Sequence, residues 1–97
     1  MLVALQRFDL RLRESHSLKQ KRHVVKSLTA ALRQRFNVSV SEVDHQELWQ
    51  RATIAVAAVG GQEYHLRHVT SEIARFVDTW PAVEMLQVEV TVHAPDD

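Results

Sequence analysis

Hydrophobic periodicity switches four times along this chain between a repeat of two residues and a repeat near 3.6, and no other feature constrains the fold as strongly. Residues 2–12 alternate, with Ala4, Phe8, Leu10 and Leu12 on one parity and Arg7, Asp9 and Arg11 on the other, as a half-buried strand does. Glu14-Ser15-His16-Ser17 breaks the alternation and offers Ser17 as an N-cap. Leu18, Val25, Leu28, Leu32 and Phe36 then recur at helical spacing, with Val24 and Ala31 widening the stripe, so a helix is expected over 18–35. Period two returns over 37–44 and again over 50–59. Ala52, Ile54, Val56 and Ala58 lie in a segment apolar on both parities, as a central strand should be. Gly60-Gly61 ends it. Leu66, Val69, Ile73, Phe76, Val77 and Trp80 place a second amphipathic helix over 62–80, which Pro81 stops. Leu86, Val88, Val90 and Val92 alternate in a last strand over 84–93.

With short links, the order β-α-β-β-α-β resolves most simply as an α+β, ferredoxin-like domain over residues 1–97. Its four antiparallel strands would carry both helices on one face. The even-numbered strand positions are mostly apolar and should face the helices. The odd positions should form an open face, with Val3, Leu5, Ala55, Ala57 and Val59 at one end and Arg7, Arg11, Arg51 and Glu89 toward the other. Exposed apolar surface of that kind makes a homodimer through the open face an expectation, and Val3, Leu5, Ala55, Ala57 and Val59 its interface.

A chain of 97 residues accommodates one core and folds without metal or disulfide staples. With no cysteine, thiol catalysis, thiolate zinc and iron–sulfur ligation are excluded. No apolar run approaches the roughly 20 residues of a membrane span, and Met1-Leu2-Val3-Ala4-Leu5 lacks a basic leader, so a cytoplasmic setting without membrane attachment is expected.

The formal net charge of zero conceals a division. Residues 1–35 set nine cations against Asp9 and Glu14, a balance of +7, while residues 36–97 set three arginines against ten carboxylates, a balance of −7. Helix 18–35 carries six basic residues and no acid. Lys19, Arg22, Lys26 and Arg33 share one side of it, and Lys19, Lys21 and Arg22 crowd its first turns, where the helix dipole favours carboxylates. These five form the candidate RNA- or phosphate-binding residues; the plain alternative is a solubilising face. Base-stacking recognition is not expected, because strand 50–59 has no aromatic residue and Phe8 has core parity.

A second cluster, Glu42, Asp44, His45 and Trp49, falls in the connection between the two middle strands, on the end of the sheet shared by Glu14 and His16. A carboxylate–imidazole pair suits acid–base work, yet no nucleophile or glycine-rich phosphate cradle accompanies it. The plain alternative is a polar hairpin in which Asp44 caps a turn and Trp49 closes the core. No catalytic residue, metal ligand or cofactor site is assigned. His65 and His68 are one helical turn apart without a third ligand at a defined interval.

Ser17-Leu18-Lys19-x-Lys21-Arg22, then Arg35-Phe36-Asn37-Val38-Ser39-Val40-x-Glu42-Val43-Asp44-His45-Gln46, then Leu48-Trp49-Gln50, resemble the bacterial YlxP-like family, and the resemblance covers roughly residues 1 to 93. It implies a ferredoxin-like fold and a small cytoplasmic protein of undetermined function. It also implies a setting among translation genes, near those for an initiation factor and a ribosome-binding factor. Gln20 stands where the family leads one to expect glutamate, and Gly60-Gly61 where asparagine or aspartate is usual. The functional expectation is a non-enzymatic, translation-associated accessory protein that contacts ribosomal or other structured RNA through the first helix. The alternative is a homodimeric interaction or small-ligand-binding module using the open face; an enzyme built on Asp44 and His45 ranks third.

Overall fold

The structure is a computed structural model describing residues 1–95; Asp96 and Asp97, the end of the domain expected over 1–97, lie outside the described residues. Its elements follow the expected order: β1 (Leu2–Arg11), α1 (Leu18–Arg35), β2 (Ser39–Asp44), β3 (Arg51–Gly60), α2 (Glu63–Asp78) and β4 (Glu84–His93). The strands form one antiparallel sheet in the order β2-β3-β1-β4. Both helices pack on one face of it, which is the ferredoxin-like α+β arrangement.

The two central strands pair without interruption from Leu2 opposite Gly60 to Arg11 opposite Arg51. Strand side chains alternate between faces, so this register sends Ala4, Phe8, Leu10, Ala52, Ile54, Val56 and Ala58 to the helix side together. There they bury against Val25, Leu28 and Leu32 of α1 and Leu66, Ile73 and Val77 of α2. Gln6 has core parity and is buried; its amide donates to the Thr70 carbonyl of α2 at 2.9 Å, which supplies the hydrogen bond that burial demands.

Local chemistry sets the helix ends. The Ser17 hydroxyl accepts from the Gln20 N–H at 3.1 Å, while the Gln20 side-chain oxygen accepts from the His16 N–H at 2.6 Å. This is a capping box displaced by one residue at its second bond. Glutamine performs here what a glutamate would, so the departure at Gln20 leaves the cap intact and the first turn free of acid. A Cβ at Gly60 would lie 3.1 Å from the Leu66 side chain, so a larger residue there needs that side chain to shift by a few tenths of an ångström; neither glycine has a positive φ.

Strand β4 corrects one expectation. Leu86 was expected in the core with Val88 and Val90, but it is 44% exposed. Asp9 pairs with Gln87 and Leu10 with Met85, so Leu86 is the extra residue of a bulge. Below the bulge the inward phase passes to Met85, and Val83 and Met85 pack on the core. Above it the phase is as expected, though on this edge strand Val88 is also exposed, as are Gln87 and Glu89. Met85→Ala should therefore cost about 2 kcal/mol in urea unfolding, and Leu86→Ala less than about 1 kcal/mol. Equal losses would place the bulge elsewhere.

Candidate functional site

Helix α1 turns one side to the core and presents Lys19, Arg22 and Lys26 to solvent on the other. Among the described residues, none of these three has an ion-pair or hydrogen-bonding partner for its side chain. Arg33 continues the row and is exposed, but its Nη2 donates to the Val40 carbonyl at 2.8 Å and so ties α1 to the edge strand β2.

Lys21 does not belong to that surface. It is 1% exposed, its ammonium lies 2.9 Å from a Glu42 carboxylate oxygen, and it donates to the His45 carbonyl. The physical reason is periodicity: Lys21, Val25, Leu28 and Leu32 stand at i, i+4, i+7 and i+11, so the lysine lies in the middle of the apolar stripe. A cation so placed needs a partner, and the half-buried Glu42, on the helix-facing parity of β2, is that partner.

The connection after β2 begins as a clamp over the edge of the sheet. A register irregularity between Glu42 and Asp44 leaves Glu42 opposite Ile54 and Asp44 opposite Thr53, with Val43 as the extra residue. His45 then adopts a φ of 59°, in the left-handed region that histidine enters more readily than most residues. The Asp44 carboxylate accepts from the N–H of the next residue, His45, at 2.8 Å. The His45 carbonyl receives both Lys21 and, at 3.1 Å, the Leu48 N–H. Its ring goes to the other face, where Nδ1 lies 2.8 Å from the hydroxyl of the buried Thr53. One residue thus joins the helix layer to the open face.

That network assigns the imidazole tautomer. The Thr53 hydroxyl donates its single proton to Asp9 at 2.8 Å, so it must accept from Nδ1–H of His45. In the neutral ring, Nε2 keeps its lone pair. Asp9 is also 3.8 Å from Arg7. The chain of groups Arg7–Asp9–Thr53–His45 spans β1, β3 and the β2–β3 connection, and Asp9 and Thr53 are the members of this site that sequence reasoning missed. Their signal is that a carboxylate and a threonine share the open-face parity on paired positions.

Trp49 also departs from expectation. It is 53% exposed and forms a shallow surface groove with Leu48 and Arg51 instead of closing the core. Gln50, next to it, reaches across to the Ser15 carbonyl at 3.2 Å, so this connection and the β1–α1 turn do share one end of the sheet. At the far end, Leu5 and Val59 are exposed and Val3, Ala55 and Ala57 half-buried on the open face. The pairs Val3–Val59 and Leu5–Ala57 are cross-strand neighbours.

The Lys21–Glu42 pair yields a stability test. Glu42→Ala strands a buried ammonium and should cost about 3 kcal/mol in urea unfolding. The double substitution Lys21→Met with Glu42→Leu removes both charges and should recover most of that loss. A double variant as unstable as the single one would show that charge compensation is not what the pair supplies.

Comparisons with known proteins converge on one family. The family described as "Protein of unknown function (DUF503)" matches residues 3–90. "Uncharacterized protein YlxP" of Bacillus subtilis (strain 168) is 34% identical over 71 residues, which span 73% of this chain and 77% of that protein. Among solved structures, the de novo designed protein Foldit4 superposes with a TM-score of 0.54 over 97% of this chain and 98% of its own, at 13% identity, a likeness of fold alone. By the extent of the family match and its identity to YlxP, the chain belongs to the DUF503 family, the YlxP-like proteins.

Proposed function

We propose that this protein is a non-enzymatic, translation-associated accessory protein of the cytoplasm that contacts ribosomal or other structured RNA through the exposed face of α1. The observation that carries this reading is a contrast between the helices. On α2, Arg67 pairs with Glu63 and Arg75 with Glu72, so that face is internally neutralised. On α1, Lys19, Arg22 and Lys26 have no counter-charge among the described residues, and no acid occupies the first turn to complement the dipole. Cations placed against the dipole and left unpaired suit a phosphate backbone, which supplies the missing charge and releases counterions. The absence of an aromatic from β3 favours contact by shape and backbone over base reading.

Three free cations should each neutralise about one phosphate, so affinity for total cellular RNA should fall with a slope of about 2 to 3 in log K against log salt in filter binding. Lys19→Glu with Lys26→Glu should weaken binding to all sequences alike and leave the fold intact, because both side chains lie off the buried stripe. Arg67→Glu with Arg75→Glu on α2 is the control. Equal losses from both double variants, or no RNA affinity in the parent at low salt, would overturn the reading.

The second reading is a homodimer through the open face, supported by the exposure of Leu5 and Val59 beside Val3 and Ala57. Ala57→Glu brings like charges near a two-fold contact and should shift sedimentation toward the monomer. A dimeric parent unchanged by that substitution would move the interface elsewhere.

A further inference from the structure

The two edges of the sheet are built differently. Edge strand β2 is short and irregular at Val43, and its carbonyls are occupied: Arg33 donates to that of Val40 at 2.8 Å and Gln46 to that of Glu42 at 3.3 Å. Short, irregular and covered edges do not pair with further strands. Edge strand β4 has none of these devices above its bulge. Residues 87–93 run in unbroken register against β1, from Gln87 opposite Asp9 to His93 opposite Val3, and contain no proline, lysine or arginine. Among the described residues, β1 alone pairs with this segment, and no side chain bonds to its backbone. Helix α2 leaves the edge uncovered: Val88 is 37% exposed, and with Val90 it lines an open cleft of about 270 Å³ against Arg67, Ser71 and Ala74. Arg67 there is already paired with Glu63.

The segment is complementary to itself in one register. Two copies of an edge strand that continue a sheet antiparallel are related by a two-fold axis normal to the sheet. Opposed residues then share a face, so the axis passes through a residue. The choice falls among Val88, Glu89 and Val90. An axis at Glu89 sets two carboxylates directly opposite each other, which is destabilising. An axis at Val88 carries the pairing into the extra residue at Leu86. An axis at Val90 uses all of residues 87–93 and stays clear of the bulge. On the helix side, Val88 then meets the partner's Val92 and Val90 meets its own counterpart, giving a continuous strip of valine. On the open side, Glu89 meets the partner's Thr91 and Gln87 the partner's His93, with no like charges directly opposed.

We propose that β4 pairs with β4 of a second copy of this chain, antiparallel and centred on Val90, so that two four-stranded sheets become one. Main-chain hydrogen bonds supply the affinity and the valine strip fixes the register. This interface is independent of the α1 surface and leaves the open face of both molecules uncovered.

Sedimentation velocity of the full chain over a concentration series tests it. The mass should rise from 11.2 kDa toward twice that value. Thr91→Glu, at an exposed position, opposes a new carboxylate to Glu89 twice per dimer and should weaken association about tenfold. Thr91→Lys makes two pairs of opposite charge at the same places and should strengthen association by a similar factor. Ala57→Glu should leave it unchanged; if the dimer instead used the open face, Ala57→Glu would dissociate it and the Thr91 variants would not. The chain has no cysteine, so Val90→Cys reports the axis directly. A residue on the axis faces its own counterpart within disulfide reach, and mild oxidation should join Val90→Cys chains faster than Tyr64→Cys chains, whose substituted position on α2 is 83% exposed. A parent monomeric throughout the series, equal association of Thr91→Glu and Thr91→Lys, loss of the dimer in Ala57→Glu, or cross-linking of Val90→Cys no faster than that of Tyr64→Cys overturns the proposal.

Discussion

The unbroken ladder between β1 and β3 governs most of what the rest of the molecule does. Ten residues of one strand meet ten of the other in a single register, and a slip of one position would exchange the faces of every side chain on both. With the register set, Phe8 and Ile54 meet under the helices, while Asp9 with Thr53 and Arg11 with Arg51 meet on the open face. The irregularities lie outside this pair, one in each edge strand: the extra residue at Leu86 in β4 and at Val43 in β2. Both occur toward the same end of the central strands, where Leu10 and Thr53 lie, and that end carries the polar network.

Charge is sorted by what lies within reach. The cations of α2 have their acids one turn away on the same helix. Lys21 is buried and has an acid supplied by a neighbouring strand, which makes it a tie between α1 and β2. Among the described residues, Lys19, Arg22 and Lys26 are left without one, as are Arg11 and Arg51 on the other side of the sheet. A cation paired at the surface contributes little to stability, and a buried one must be paired, so the unpaired ones are where an external anion has most to offer.

The clamp at His45 shows how one backbone conformation combines these layers. A left-handed residue immediately after a strand irregularity turns its carbonyl toward Lys21 and its ring toward Thr53. Strain at a non-glycine residue of this kind persists when its surroundings over-determine it. Here the N–H, the carbonyl and Nδ1 are all engaged.

Element order, element type and the helix-covered parity of β1 and β3 were legible in the sequence because each rests on periodicity, a local property of neighbouring residues. The burial of Lys21 was legible too, in its alignment with Val25, Leu28 and Leu32, although its charge drew attention to the surface instead. Neither irregularity was readable from spacing, because an extra residue in one strand is defined only against its partner. The exposure of Leu86 follows from that, since a change of phase at an edge leaves a large apolar side chain with nothing above it, while Trp49 is exposed in the connection between β2 and β3. The pairing of Glu42 with Lys21, the bond from Thr53 to Asp9, and the meeting of Arg11 with Arg51 join residues 21 to 44 positions apart. The sequence by itself determined which residues alternate and which recur on a helical stripe. Only tertiary structure decided which charges find partners, because pairing depends on distances that chain order does not contain.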